Sequence, residues 1–384
     1  MSRYRPMLAL AGAMAILFGS TLASAQPSND PPLRYRVQPG DTLISLSTKY
    51  LTRKDDYQAI QALNRIADPY RLPIGSTLLI PERLLRTELV LGEITSFRGT
   101  VMVDGQAAKL KMQVRQGMQI ETAADAFVTV QFPDGSAISL PSQSRIRIDR
   151  LRRVLLTDAL DRNFRLLAGK TRSSVTPMAN PDSNFRVTTP LSVSAVRGTD
   201  FRVGFDEEAG QTQTEVVGGE VGVAPDEERE EVEVTRGFGV IATKDGVQPP
   251  VKLLSPPELA SLARGEGNAV VVAYKAVEGA KTYRVQLATD LGFRNVIADA
   301  TTEELTTSFP GFGSTPFFVR LTSIATSGLE GVPGTYASGR RVDAPDGSSA
   351  QDDRSGTGSA PLQTSMNGDG RTIPALISTR PTLR

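Results

Sequence analysis

Ser144-Arg145-Ile146-Arg147-Ile148-Asp149 sets an apolar residue at every second position, the period of a strand with one face buried and the other in water. Working outward, Leu110, Met112 and Val114 alternate with Lys109, Lys111, Gln113 and Arg115, and Phe201, Val203 and Phe205 repeat the pattern. Glycine-containing turns such as Asp104-Gly105, Asp134-Gly135 and Gly218-Gly219 punctuate the region 89–242. Strands separated by such turns predict an all-β region, either a sandwich or a stacked coil of short strands. Asp134 and Asp200 lie beside these glycines, which reads as turn chemistry rather than as a calcium or acid–base site. Arg145, Arg147, Arg150, Arg152 and Arg153 read as the solvated face of a strand, and the acidic run 226–231 as an exposed hairpin loop.

The segment 35–81 follows a different rule: strand, helix, helix, strand. Tyr35 and Val37 alternate with Arg34 and Arg36, and Pro39-Gly40 turns the chain. Asp41 or Thr42 can cap a helix that carries Leu43, Leu46 and Tyr50 on one face. Asp55 or Asp56 can cap a second helix, with Tyr57, Ile60 and Leu63 inward. Pro73 and Gly75 precede a short strand, Leu78-Leu79-Ile80, stopped by Pro81.

At the amino end, Arg3 and Arg5 precede an apolar run from Met7 to Phe18, followed by Ala23-Ser24-Ala25. That is the charge, apolar core and small-residue cleavage site of a secretory signal peptide over 1–25, with Gln26 first in the mature chain. The run is shorter than the ~20 residues that span a bilayer, so no membrane span is expected. The chain has 43 basic and 42 acidic residues. Losing Arg3 and Arg5 leaves 43 − 2 = 41 basic residues, a near-neutral balance with no overall pull toward nucleic acid. There is no Cys and no His among the 384 residues. Disulfides, the usual zinc sites and every Cys–His or Ser–His nucleophile are thereby excluded, and no metal or other cofactor is expected.

The motifs Tyr35-x-Val37, Gly40-Asp41-Thr42-Leu43, Asn64, Asp68-Pro69 and Gly75-x-x-Leu78-x-Ile80-Pro81 closely resemble the LysM family, with a longer 50–64 stretch as the departure. The resemblance implies a peptidoglycan-binding module over 34–84. Such modules hold N-acetylglucosamine polymers in a shallow groove between two loops, here 40–43 and 68–72. The candidate glycan-binding residues are Gly40, Asp41, Thr42, Leu43, Asp68, Pro69, Tyr70, Arg71 and Leu72. Backbone amides near Gly40 can meet an N-acetyl group while Leu43 and Leu72 support its methyl. Asp41 and Asn64 also have a purely structural reading, as a cap and as a bridge between backbone groups. Modules of this kind often accompany wall-cutting enzymes. The thiol- and zinc-dependent ones are excluded here, and Ser-x-x-Lys is absent. Only a carboxylate enzyme such as a lytic transglycosylase remains, and its catalytic domain is helical, unlike the rest of this chain.

Phe132-x-Asp134-Gly135-Ser136-x-x-x-Leu140, Leu167-x-Gly169, Phe185-x-Val187-x-Thr189-Pro190, Val196-Arg197-Gly198-Thr199-Asp200-Phe201 and Val217-x-Gly219-x-Val221-x-Val223 resemble the FecR family. The resemblance implies a periplasmic, β-solenoid-like domain over 88–243. Its best-known members relay an outer-membrane signal to a sigma regulator, through a cytoplasmic segment and a membrane helix not expected here. What carries over is a surface for an envelope protein partner of unknown identity.

After Pro256-Pro257 a new strand series starts near Ala269. The strands 270–274, 283–288, 307–309, 317–324 and 336–342 predict a small β-sandwich over 262–343. Gly279-Ala280-x-x-Tyr283-x-Val285-x-Leu287, Phe317-x-Val319-x-Leu321 and Gly328-Leu329-x-Gly331 resemble fibronectin type III modules, with Tyr274 in place of the usual tryptophan. Residues 344–384 hold no aromatic side chain and read as a disordered tail. The expectation is a multidomain, mainly β, non-enzymatic periplasmic protein. A signalling role remains the alternative.

Overall fold

The computed structural model describes residues 32–226, 229–266, 269–311, 316–337 and 340–342. They fall into two compact units, the first ending at Leu85 and the second beginning at Arg86. The expected leader over 1–25 and the expected tail over 344–384 lie outside the described residues. Among the described residues no helix is long and apolar enough to cross a membrane.

In the first unit, strands Leu33–Arg36 and Thr77–Ile80 pair antiparallel with Tyr35 opposite Leu78. Helices Leu43–Tyr50 and Tyr57–Asn64 complete it. Val37, Leu43, Leu46, Leu51, Ile60, Leu78 and Ile80 are buried. The cap of the first helix is Thr42: its hydroxyl accepts from the Ser45 amide, and the Ser45 hydroxyl accepts in return from the Thr42 amide. This reciprocal pairing satisfies two donors that the helix itself cannot use. Asp56 makes no side-chain cap on the second helix and instead accepts from the Arg53 amide. Leu63, expected inward, is 47% exposed. The inward place goes to Asn64, one turn beyond Ile60. Its amide donates to the carbonyls of Ile60 and Leu79 and accepts from the Leu79 amide.

The second unit is mostly strand. One sheet runs, edge to edge, through Gln106–Ala107, Val101–Val103, Gln119–Thr122, Arg145–Val154, Ala159–Ser174, Asn184–Thr188, Val193–Val196, Glu220–Ala224 and Val232–Thr235. A second runs through Gln113–Val114, Gly92–Arg98, Phe127–Gln131, Ala137–Leu140, Ala159–Ser174, Asp200–Asp206, Gln211–Gly218 and Phe238–Thr243. The long strand Ala159–Ser174 belongs to both. It pairs with Arg145–Val154 as far as Ala168 and with Asp200–Asp206 from Gly169 onward. Gly169 has φ +75° at the crossing point. Apart from one parallel pair, Ala159–Ser174 with Asn184–Thr188, these ladders are antiparallel, and the two sheets, joined through the shared strand, form one body with a single apolar core. Its core holds Ile146, Ile148, Val203 and a chain of rings, Phe132, Phe164, Phe185 and Phe201, at centroid spacings of 5.0–6.5 Å.

One expected strand is mostly a turn. Only Gln113–Val114 is extended, Lys111 has φ +65°, and Leu110 is 62% exposed. Met112 donates back to Lys109 and Lys111 to the Ile94 carbonyl, so local turn bonds override the alternation.

Two further sheets follow. Leu259–Arg264, Val270–Tyr274 and Thr306–Phe309 make one; Val296–Thr302, Ala280–Ala288, Phe318–Ala325, Gly334–Ala337 and Arg340–Val342 make the other. Val285, Leu287, Val319 and Leu321 face the core between them, with Tyr274 and Tyr283 packed ring against ring. The alternate residues Arg284, Gln286, Arg320 and Thr322 point the other way. They are largely covered all the same, Arg284 keeping 12% of its side chain exposed. Gln286, Arg320 and Thr322 are buried, because this face packs on the outer face of the sheet that carries Asp200–Asp206.

Candidate functional site

The two candidate loops of the first unit are tied together by one backbone bond, the Leu43 amide donating to the Pro69 carbonyl at 2.9 Å. Gly40 has φ +88°, and a side chain there would meet nothing within 4 Å, so the backbone is bare on that side. Asp41 is a brace: its carboxylate accepts from the Tyr35 hydroxyl and the Gln38 amide, each at 2.7 Å. Burial, with Asp41 beside it, pushes the Tyr35 phenol above its usual range. Thr42 is the helix cap, and Leu43 is 1% exposed, a floor beneath the loop rather than part of its rim.

The opposite loop is shaped by Asp68. One carboxylate oxygen accepts from the Tyr70 amide, and its carbonyl accepts from the Arg71 amide. This closes a tight turn that needs no partner elsewhere. Arg71 also meets Asp68 at 3.8 Å, an exposed contact of small energetic weight. Leu72 and Pro69 are half-buried, and Tyr70 is 66% exposed. Ile74, which periodicity did not single out, is 69% exposed. The result is a rim of bare backbone on one side and exposed Tyr70 and half-buried Leu72 on the other, held in place by bonds that do not involve a ligand. The Asp41, Thr42 and Leu43 amides already donate within the protein, so the rim offers apolar contact surface and the backbone at Gly40.

In the second unit much of the arginine face is paired on the protein itself, five arginines sharing three carboxylates. Arg150 and Arg152 meet Asp161 at 3.9 and 2.7 Å, Arg153 meets Asp158 at 2.7 Å, and Arg147 and Arg165 meet Asp149 at 3.4 and 2.6 Å. Asp134 does more than shape a turn. It accepts from Ser136 and pairs with Arg162, whose charge burial disfavours. Asp200 makes a two-pronged pair with Arg172.

A group that sequence reading missed lies between the second and fourth sheets. Arg202 donates to the Glu330 carboxylate at 3.1 Å and to the Glu330 and Gly331 carbonyls at 2.5 and 2.8 Å. The Glu330 amide donates to Glu215 at 3.0 Å. Arg284 bridges Asp299 and Glu330. Although burial opposes its charge, Arg202, Arg284 and Lys170 hold the Glu330 carboxyl far below the usual range. Burial pushes Glu215 the other way. The residues involved are up to 129 positions apart, so no spacing in the chain announces them.

Similarity to known proteins falls on both units. The family model for LysM domain matches residues 35–81 and that for FecR protein matches residues 118–222. No curated protein matches the chain. Two crystal structures of a protein assigned as an anti-sigma factor from Parabacteroides distasonis ATCC 8503 are similar at 18% and 19% identity over 35% of this chain, each with a TM-score of 0.29. The chain spans 59% of the length of those structures, and at that score the likeness carries no argument. The two family matches follow one another in the chain, LysM domain at residues 35–81 and then FecR protein at residues 118–222.

Proposed function

We propose that this is a non-enzymatic, exported envelope protein. It binds peptidoglycan through the groove between loops 40–43 and 68–72 and offers its FecR region to another envelope protein. The observation that carries the reading is the LysM match over the segment whose two loops are pinned by the Leu43–Pro69 bond. In this reading the bare backbone at Gly40 meets the N-acetyl group, and Tyr70 and Leu72 lie along the sugar ring.

The test is co-sedimentation of the full chain with purified peptidoglycan. Tyr70→Ala and Leu72→Ala each remove one apolar contact and leave the backbone untouched. Each is expected to weaken binding by about 1 kcal/mol, roughly fivefold, with circular dichroism unchanged. Parental binding by both variants would move the site elsewhere. The same experiment, followed by clearing of peptidoglycan turbidity, separates binding from cleavage. A fall in turbidity would overturn the non-enzymatic reading.

Export rests on the leader read at 1–25. The expected mature amino terminus is Gln26 in a periplasmic fraction, checked by mass spectrometry of the terminal peptide. An intact Met1 or a cytoplasmic location would defeat it. Envelope signalling is the second reading, favoured by the FecR match alone. The carboxyl-terminal sandwich is read as fibronectin type III-like, a reading supported by its three- and five-stranded sheets and by the Tyr274–Tyr283 pair.

A further inference from the structure

Between the outer face of the sheet carrying Asp200–Asp206 and the face of Phe318–Ala325 lies a cavity of about 30 Å³. Its walls include Lys170, Arg172, Arg202, Arg284 and Arg320, against Glu330 as the one carboxylate. Four of these cations have acidic partners. Arg172 pairs with Asp200, Arg202 with Glu215 and Glu330, Arg284 with Asp299 and Glu330, and Lys170 lies 3.9 Å from Glu330.

Arg320 does not. It is 3% exposed, its guanidinium stands 3.8 Å over the Phe293 ring, and its Nε has no hydrogen-bond partner among the described residues. No carboxylate there lies within salt-bridge distance of it either. A buried guanidinium with no counter-charge among the described residues and one nitrogen left without a hydrogen bond is costly to hold. An aromatic face recovers only a small part of that cost.

We propose that this cavity is a binding site for one small monovalent anion of chloride size, the counter-ion of Arg320. The cavity has room for one such ion. The cations around it come from both sides of the contact, Arg284 and Arg320 from the carboxyl-terminal sandwich and Lys170, Arg172 and Arg202 from the FecR region, so the ion ties the two together.

The test is the thermal unfolding of the full chain in sodium chloride, sodium bromide and sodium gluconate at matched ionic strength. Chloride and bromide are expected to raise the melting temperature of the second unit in a saturable way. The rise should be on the order of 5 °C as the halide passes to about a hundredfold above its dissociation constant. Gluconate, too large to enter, is expected to give none of it. In Arg320→Met, which keeps bulk over Phe293 without charge, the halide effect is expected to vanish. Should that variant fail to fold, crystals of the parent soaked in bromide give an independent reading: an anomalous peak within about 3.5 Å of the Arg320 guanidinium. Equal melting in chloride and gluconate, or no such peak, would mean that water alone fills the cavity, and the proposal falls.

Discussion

Glu330→Ala is expected to destabilise the second unit by about 3–5 kcal/mol, the cost of removing one partner from a buried ion cluster. Glu330 is 2% exposed, and its loss leaves Arg202 and Arg284 short of a shared carboxylate and Thr322 without an acceptor. Urea denaturation followed by tyrosine fluorescence measures it. The pH dependence has a definite sign. Glu330 has a folded pKa depressed below its unfolded value of about 4.3, so its contribution is present above that value and is lost as pH falls toward the folded one. Glu215 has the opposite sign: burial raises it, so its charge is a cost at neutral pH. Glu215→Gln, which keeps an acceptor for the Glu330 amide, is therefore expected to be far milder than Glu330→Ala. Equal losses from the two would show that packing, not charge, sets the stability of this contact.

The second large effect is expected at Gly169. A Cβ there would stand 2.4 Å from the Gln143 carbonyl oxygen and 2.7 Å from the Ser144 Cα, on a backbone with φ +75°. Both the left-handed conformation and the collision count against any side chain. The collision is with backbone, which cannot turn aside as a rotamer can. Gly169→Ala is expected to cost on the order of 3–5 kcal/mol, summing strain and overpacking. Because Gly169 is where Ala159–Ser174 passes from one sheet to the other, the loss should appear as a lower denaturation midpoint. Faster amide exchange should accompany it on both sides of the crossing. A shift under about 1 kcal/mol would mean that the strand can cross without this conformation.

Much of this architecture was legible in the chain. The Arg145–Ile148 alternation gave a strand with Ile146 and Ile148 in the core, because both inner faces of a sandwich are apolar and their neighbours are not. The glycines, caps and prolines of the first unit marked its elements for the same local reason. Two strands of the carboxyl-terminal sandwich escaped notice, and the single strand expected over 336–342 is two, Gly334–Ala337 and Arg340–Val342, paired antiparallel with each other. Val296–Thr302 reads VIADATT, whose small residues blur the period, and Leu259–Arg264 is only partly covered at a sheet edge. Arg202 and Arg320 failed more instructively. Each alternates with apolar neighbours and so reads as facing water, yet each is covered by a sheet more than a hundred positions away or from the other side of the same contact. Period two separates the faces of a strand without saying what lies opposite the polar one. Of the candidate loops, Gly40 and the Asp68 turn could be read directly. The exposure of Ile74 could not, because it depends on the path of the loop around it.

The polar contact between the two β regions has a mechanical meaning. Apolar surfaces attract without preferring a direction, so two sheets pressed together by them alone can rotate or slide at little cost. Here Arg202 grips a carboxylate and two carbonyls, Ser96 and Thr129 both donate to the Arg294 carbonyl, and Arg98 donates to that of Ile297. Each bond weakens with misalignment as well as with distance. The joint is therefore keyed like a splined shaft: a twist imposed on the carboxyl-terminal sandwich is delivered as torque to the strands of the FecR region.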